Sequence, residues 1–292
     1  MQPGEDLAQG TPWADLDRPP LRQSTLRAAL TGPEKHWRTL DVVAQTGSTN
    51  ADLLERARQG EPHGAVLVAD SQSAGRGRLG REWVSPPRSG LAVSVLVRPQ
   101  VSKDHWGWLS LLTGVVVTDA LIRVCGLPAT LKWPNDVLLP ATPKARKNGY
   151  AGDHLKVAGI LAEATGDAVV IGIGLNVTQT REELPVPTAT SLVLEGSATT
   201  DRDTVLRAVL RALARRLEEF EENGPAGTAA TYRERCSTIG RDVRAELPGG
   251  VSRTGTADGV DDHGRLLLLT PDGACSPLSA ADVVHIRNPE TA

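Results

Sequence analysis

The sequence predicts an α+β fold that ends in a small β barrel, on three observations. Short apolar or alternating runs recur as strand candidates, among them Ala65 to Ala69, Leu91 to Val97, Lys156 to Glu163 and Ala168 to Val177. Two long stretches with helical spacing stand between and after them, His105 to Val124 and Thr204 to Glu222. From residue 239 the character changes again, to short strands broken by Pro248-Gly249-Gly250, Asp261-Asp262-His263-Gly264 and Pro271-Asp272-Gly273. Turn clusters at that spacing are the mark of a small antiparallel barrel.

At 292 residues the chain has room for one large domain and a small one. A net charge of −3 and 40% hydrophobic residues are ordinary for a soluble globular protein and give no global basic excess for bulk nucleic-acid binding. Met1 to Asp6 has neither a basic region nor an apolar core, so no signal peptide is expected. The longest uncharged apolar run, Trp106 to Thr118, is short of the about 20 residues that span a bilayer, and a cytoplasmic location is expected. Cys125, Cys236 and Cys275 are widely separated and form no C-x-x-C pair, and the six histidines form no H-x-x-x-H. Neither a disulfide framework nor a zinc site is therefore expected.

Taken in order, residues 1–35 are rich in proline, glycine and charge, and only Leu21 to Leu30 can form a short helix; a mobile extension is expected. Trp37 to Val43 alternates as a strand. Gln45 to Asn50 then leads into a helix over Ala51 to Gln59 with Leu53, Leu54 and Ala57 on one side. Ser48 or Thr49 is a natural N-cap; alternatively these hydroxyls and Asn50 line a polar pocket.

Between the strands at 65–69 and 91–97 lies a long loop containing Gly75-Arg76-Gly77-Arg78-Leu79-Gly80-Arg81. Structureless loops longer than about 12–15 residues are usually functional lids or disordered. Its glycines let backbone amides approach an anion, and its arginines (76, 78, 81 and 88) supply forks for carboxylate and phosphate. Gly75, Gly77 and Gly80 also satisfy G-x-G-x-x-G, yet a dinucleotide fingerprint must open a helix, which Pro86 and Pro87 deny. A kinase loop is excluded by Glu82 and by the absence of H-R-D or D-F-G downstream.

The helix from His105 to Val124 is apolar nearly all round and belongs in a core. Two short strands follow, around Trp133-Pro134-Asn135-Asp136. Asn135 and Asp136 suit a turn, whereas Lys132 sits on an otherwise apolar strand, where unpaired lysine is rare. Pro140 to His154 reads as a polar loop. The strands at 156–163 and 168–177 pair through Thr165-Gly166-Asp167, and Gly159, Gly172 and Gly174 leave room for a ligand or backbone to approach. After a proline-rich joint at 184–187, the helix from Thr204 carries a stripe from Val205 to Phe220, and a second helix runs from Gly227 to Thr238. The domains expected are thus 36–238 and 239–292 behind the 1–35 extension. An arginine lid, a helix-start hydroxyl cluster, Lys132 and Lys156 together suit a substrate with several negative charges, such as a nucleoside triphosphate with a carboxylic acid.

Ser48-Thr49-Asn50, Gln72 with the Gly75 to Arg81 run, Lys132 to Asp136, Lys156 to Leu161 and Gly172 to Asn176 stand in the order seen in biotin protein ligases. The resemblance spans about Trp37 to Val177, and the terminal barrel fits the family too. The chain resembles the short type, without the N-terminal DNA-binding module. The resemblance implies a class II synthetase-like catalytic domain with a mixed central sheet and packed helices, plus an SH3-like barrel. It also implies a reaction in which biotin and Mg·ATP form biotinyl-5′-AMP, and a lysine of a biotin carboxyl carrier domain then takes the biotin. Lys156, Arg76 and Asp136 would be catalytic: Lys156 bridging carboxylate and α-phosphate, Arg76 with Arg78 closing over the adenylate, Asp136 orienting or deprotonating the incoming lysine.

By the same resemblance, Ser48, Thr49 and Gln72 would bond the ureido ring, with Asn50, Gly75, Arg76, Gly77, Arg78, Lys156 and Gly159 completing the biotin site and Trp83 covering it. Arg76, Arg78, Lys132, Asn135, Lys156 and Asn176 would hold the nucleotide. Biotin, ATP and Mg2+ are the small molecules implied, and no metal-binding residues. Partners implied are carrier domains of acyl-CoA and pyruvate carboxylases, with no DNA and no membrane, for a monomer or weak homodimer. One departure is the 140–154 loop, long for its place and set on the rim that meets the carrier. A lipoate ligase shares the expected fold and chemistry, but the G-R-G-R and K-W-P-N-D pair favours biotin. A non-enzymatic nucleic-acid or ligand-binding module lacks its companion motifs, and aromatics are only 3%.

Overall fold

The computed structural model describes residues 18–286 apart from 144, 145, 147–149, 151, 248 and 280. The β-branched and apolar runs form a mixed sheet of seven strands: β1 (Thr39–Val43), β2 (Ala65–Ala69), β3 (Gly90–Val97), β4 (Thr130–Lys132), β5 (Asp136–Pro140), β6 (His154–Thr165) and β7 (Ala168–Asn176). Their order across the sheet is β1-β2-β3-β7-β6-β5-β4. Only β1 and β2 run parallel; every other pair is antiparallel.

Five helices accompany the strands among the described residues: α1 (Gln23–Leu30), α2 (Thr49–Arg58), α3 (Gly107–Cys125), α4 (Arg202–Asn223) and α5 (Ala226–Arg235). By length and composition α3 could cross a membrane, extending beyond the Trp106 to Thr118 run. Thirteen of its nineteen residues are instead buried, between the sheet and α4 and α5. It is the central core helix, and Gly126 ends it in the left-handed conformation.

Strand alternation divides the sheet into two unlike faces. Val93, Val95, Val97, Ile171, Ile173 and Leu175 point to the side covered by α3 and α4 and join the main core. Leu67, Leu96 and Val170 point to the other side and form a small cluster with Leu53 and Ala57 of α2. That second face is only partly covered by α2, and the candidate site lies on its open part.

The expectation of a mobile extension over 1–35 fails for its described part. Leu21, Leu26 and Leu30 are buried in the main core, Arg22 pairs with Asp203 of α4 at 2.5 Å, and Arg27 donates to the Leu40 carbonyl at 2.6 Å. A short helix with little propensity of its own is held by burying one apolar stripe. The rest of that expectation, residues 1–17, lies outside the described residues.

The C-terminal strands β8 (Asp242–Glu246), β9 (Ser252–Val260), β10 (Leu266–Leu269), β11 (Cys275–Leu278) and β12 (Asp282–His285) form a five-stranded antiparallel sheet in the order β11-β10-β9-β8-β12, consistent with an SH3-like barrel. Two tryptophans bolt it to the rest. Trp108 Nε1 donates to the Asp262 carbonyl at 2.8 Å, and Trp133 Nε1 donates to the Gly264 carbonyl at 3.1 Å. Trp133 also donates its backbone N–H to Thr238 Oγ1 at 3.1 Å. A Cβ on Gly107 would stand 2.5 Å from the His263 carbonyl, which explains a glycine at the start of α3.

Candidate active site

The cleft is built outward from the β4–β5 hairpin. Its register sets Lys132 opposite Asp136, and on the other side Asp136 stands opposite Gly159 of β6. The partners of β5 on β6 then step from Ala158 to Lys156 and pass over Val157, a bulge. In a regular strand, residues three apart point to opposite faces. The extra residue cancels that alternation and re-aims Lys156 onto the face of Gly159. Lys156 Cε and Nζ lie 3.3 Å from where a Cβ on Gly159 would stand. The Lys156 backbone is held as well: its N–H donates to the Thr188 carbonyl and its carbonyl accepts from Thr190, each at 2.8 Å.

Lys156 Nζ stands 2.6 Å from Asp136 Oδ1 and 5.7 Å from the Trp83 ring centroid. The acid singled out for the incoming lysine thus meets Lys156 directly in this state. Trp83 explains two of the strand glycines: a Cβ on Gly174 would fall 2.4 Å from its ring, and one on Gly159 would fall 3.2 Å from it. Gly172 makes room for Asn50 Oδ1, which a Cβ would meet at 2.3 Å.

The Gly/Arg segment folds into a narrow hairpin. Gly77 donates to the Arg81 carbonyl at 2.7 Å and Trp83 to the Gly75 carbonyl at 2.9 Å. Leu79 turns its tip at φ 56° and is 59% exposed. Arg81 pairs with Asp282 of β12, so the barrel touches the hairpin across the cleft. Arg76, Arg78 and Arg81 line the cleft. Arg88 does not: it pairs with Asp70 at 3.5 Å, an acid that also holds Arg202 at 2.9 Å.

At the helix start both sequence readings hold for Ser48. Its side chain caps α2 by accepting from the Ala51 amide at 3.5 Å, and it lines the cleft with Thr49 and Gln72. The three asparagines turn their side-chain amides toward the protein. Asn50 Nδ2 donates to the Leu161 carbonyl at 3.1 Å, Asn135 Nδ2 to the Ile160 carbonyl at 2.9 Å, and Asn176 Nδ2 to the Thr190 carbonyl at 2.9 Å. All three still line the cleft, but as braces of its walls.

The cleft has a volume of about 1020 Å³ and is rich in cations. Burial lowers the Lys132 pKa, Asp136 opposes this, and Lys156 and Arg81 add to it. Burial also lowers Arg78. His285 on β12 is lowered to about 4, by burial first and then by Lys132, Arg241 and His154. The lysine and arginine charges thus crowd one another in a partly dry site and keep His285 neutral near pH 7, and a bound polyanion would relieve that crowding. Arg241 and His285 come from the barrel and had no signal in the sequence, since neither lies in a motif. Among the described residues no group of three or more His, Cys, Asp or Glu gathers to hold a metal ion.

Residues 42–176 match the biotin/lipoate A/B protein ligase family, and residues 238–286 match the biotin protein ligase C-terminal domain. The chain is 47% identical to the biotin–acetyl-CoA-carboxylase ligase of Mycobacterium tuberculosis, over 94% of this chain and 98% of that protein. It is 33% identical to the bifunctional ligase/repressor BirA of Escherichia coli, over 83% of this chain and 72% of that protein. Among solved structures, the biotin protein ligase from Aquifex aeolicus in complex with biotin and ATP superposes with a TM-score of 0.71 at 30% identity, covering 86% of this chain and all of that one. Two matched regions in order, a near full-length relative at 47% identity and a shared fold make the chain a member of the biotin protein ligase family.

Proposed function

We propose that this cleft joins biotin to ATP and passes the biotin to a lysine of a biotin carboxyl carrier domain of acetyl-CoA carboxylase. In the first step the biotin carboxylate oxygen attacks the α-phosphorus; the new C–O–P link forms as the bond to the β-phosphate oxygen breaks and pyrophosphate leaves. In the second the carrier lysine, as its free amine, attacks the acyl carbon; the C–N bond forms as the acyl C–O bond breaks, AMP departs with the bonding electrons, and the nitrogen releases one proton to solvent to leave the amide. Displacement at phosphorus depends on positioning and charge neutralisation more than on covalent help. The observation that carries the reading is Lys156, re-aimed by the bulge into a cation-rich cleft and held by Asp136.

Lys156 would swing from Asp136 to the meeting carboxylate and phosphate, and the freed Asp136 carboxylate could then receive the carrier lysine. Arg76 and Arg78 would close over the adenylate and exclude water. Ser48, Thr49 and Gln72 would hold the ureido ring, and Trp83, seated on the backbone of Gly159 and Gly174, would cover it. Gly75 and Gly77 shape the hairpin, Lys132 takes phosphate charge, and Asn50, Asn135 and Asn176 stiffen the walls. Magnesium would enter on the triphosphate. Carriers of other acyl-CoA and pyruvate carboxylases, a cytoplasmic site of action, independence from DNA, a monomer or weak homodimer and a domain boundary at residue 238 belong to the same proposal.

The test offers ATP with biotin or with lipoic acid and weighs the adenylate formed. Biotinyl-AMP with no lipoyl-AMP is the expected result. Lipoyl-AMP as the main product would move the chain to the other branch of its family.

A further inference from the structure

The segment before α1 is tied to one wall of the cleft. Thr178 to Thr190 follows β7 without helix or strand, and its Pro185, Val186, Thr188 and Ala189 line the cleft. The same loop supplies the Thr188 and Thr190 groups that hold the Lys156 backbone, and the Thr190 carbonyl accepts from Asn176 Nδ2 at 2.9 Å. Arg181 closes the loop on itself, donating to the Val186 carbonyl at 2.9 Å and to the Ala189 carbonyl at 2.7 Å. That brace lies within the loop and does not fasten it to the rest of the protein.

Arg18 does fasten it. Its Nη1 lies 3.0 Å from Glu183 Oε1 and its Nη2 lies 2.6 Å from Glu183 Oε2, and Nη2 also donates to the Thr178 carbonyl at 3.0 Å. Glu183 in turn accepts the Thr180 N–H at 2.9 Å. A forked arginine–carboxylate pair fixes orientation as well as distance. Among the described residues, Arg18 is the one side chain from outside the loop that hydrogen-bonds to residues 180–187, and Leu184 alone of these is buried. The arginine is itself well rooted. The carbonyl of the next residue, Pro19, accepts at 2.7 Å from Arg202, a buried side chain at the start of α4 that also holds Asp70. Arg22 then pairs with the neighbouring Asp203.

We propose that Arg18 is a positioning residue: through Glu183 it keeps the 178–190 loop in the shape that receives the nucleotide beside Lys156 and Asn176. The inference rests on the reading that this cleft binds ATP. An unfastened loop populates other arrangements, and the apparent affinity for ATP falls by the fraction of molecules that keep the receiving shape. At saturating ATP the ligand restores that shape, so the chemical step is spared. A strap that only stabilised the fold would lower the thermal midpoint and leave KM alone.

The experiment measures steady-state kinetics and hydrogen exchange on the full chain. Arg18→Ala should raise KM for ATP about fivefold and leave kcat at saturating substrates within about twofold of wild type. Exchange at residues 178–190 should quicken in the free variant and return to the wild-type rate with ATP and biotin both present. Glu183→Ala should do the same, and the double variant should be no worse than the poorer single one, because both changes remove one contact. If Arg18→Ala fails to fold, Glu183→Ala carries both measurements. An unchanged KM in a folded variant overturns the inference, whether or not exchange quickens, and so does a double variant whose effects multiply. Wild type separates the two readings. If it binds no ATP, the proposed function fails and this inference with it; if it turns ATP over while Arg18→Ala matches it in KM, only the inference fails.

Discussion

Along β7 the residues facing α3 and α4 are Val169, Ile171, Ile173 and Leu175, all in the main core, whereas those facing the other way are Val170, Gly172 and Gly174. On β3 the same contrast sets Leu91, Val93, Val95 and Val97 against Ala92, Ser94 and Leu96. One face keeps its bulk along the whole strand. The other starts apolar under α2 and thins to glycine and serine toward the cleft, where Asn50 and Trp83 take the vacated space. A two-residue period lets one strand carry two unrelated patterns, so the core can stay filled while the opposite face is emptied for a ligand. Stability and ligand contact are divided between faces of one sheet, and substitutions only one or two residues apart should report on different properties.

The largest expected effect tests the filled face. Ile171→Ala removes a fully buried side chain and should cost about 3 kcal/mol of unfolding free energy, read by denaturant titration. Activity per folded molecule should hold. A matching fall in kcat at saturating substrates would show that the faces are not separable.

On the open face, Lys156→Ala should slow adenylate formation at least about a hundredfold, equivalent to about 2.7 kcal/mol of barrier, read by pyrophosphate release. Its thermal midpoint should stay near wild type, since the ammonium is partly exposed and its pairing with Asp136 leaves little net stabilisation. Near-normal pyrophosphate release would remove Lys156 from the chemistry.

Gly174→Ala sharpens the contrast with the least change. The strand backbone accepts alanine, but the new Cβ would stand 2.4 Å from the Trp83 ring. The indole must shift, and KM for biotin should rise on the order of tenfold with little change in stability. Wild-type binding by this variant would mean that Trp83 does not cover the ligand.

Much of this was legible beforehand, and the reasons are local. The strand at 65–69 and a helix over about 105–124 follow from runs of apolar residues, and a hydroxyl cap on α2 follows from Ser48 and Thr49, between which the structure chooses Ser48. The glycines of β6 and β7 signalled a close approach, but not that its occupants are Trp83 and Asn50. Arg88 looked equivalent to Arg76 and Arg78 in the sequence, and only the fold assigns it to Asp70 instead of the cleft. Residues 1–35 read as a mobile extension because they are rich in proline, glycine and charge, yet in their described part three leucines suffice once α4 and the sheet are present to receive them.

By itself, then, the sequence determined the order of strands and helices, the barrel at the end, and a cation-rich, glycine-lined site suited to an acid and a nucleotide. Periodicity, capping and motif order depend on neighbours along the chain, and neighbours are visible in a string of letters. The tertiary structure decided the bulge at Val157 that turns Lys156 into the cleft, the pairing of that lysine with Asp136, and the barrel's Asp282 against Arg81. Each of these joins residues on different strands or in different domains. Their geometry is set by strand register and by packing between distant segments, which no local preference encodes.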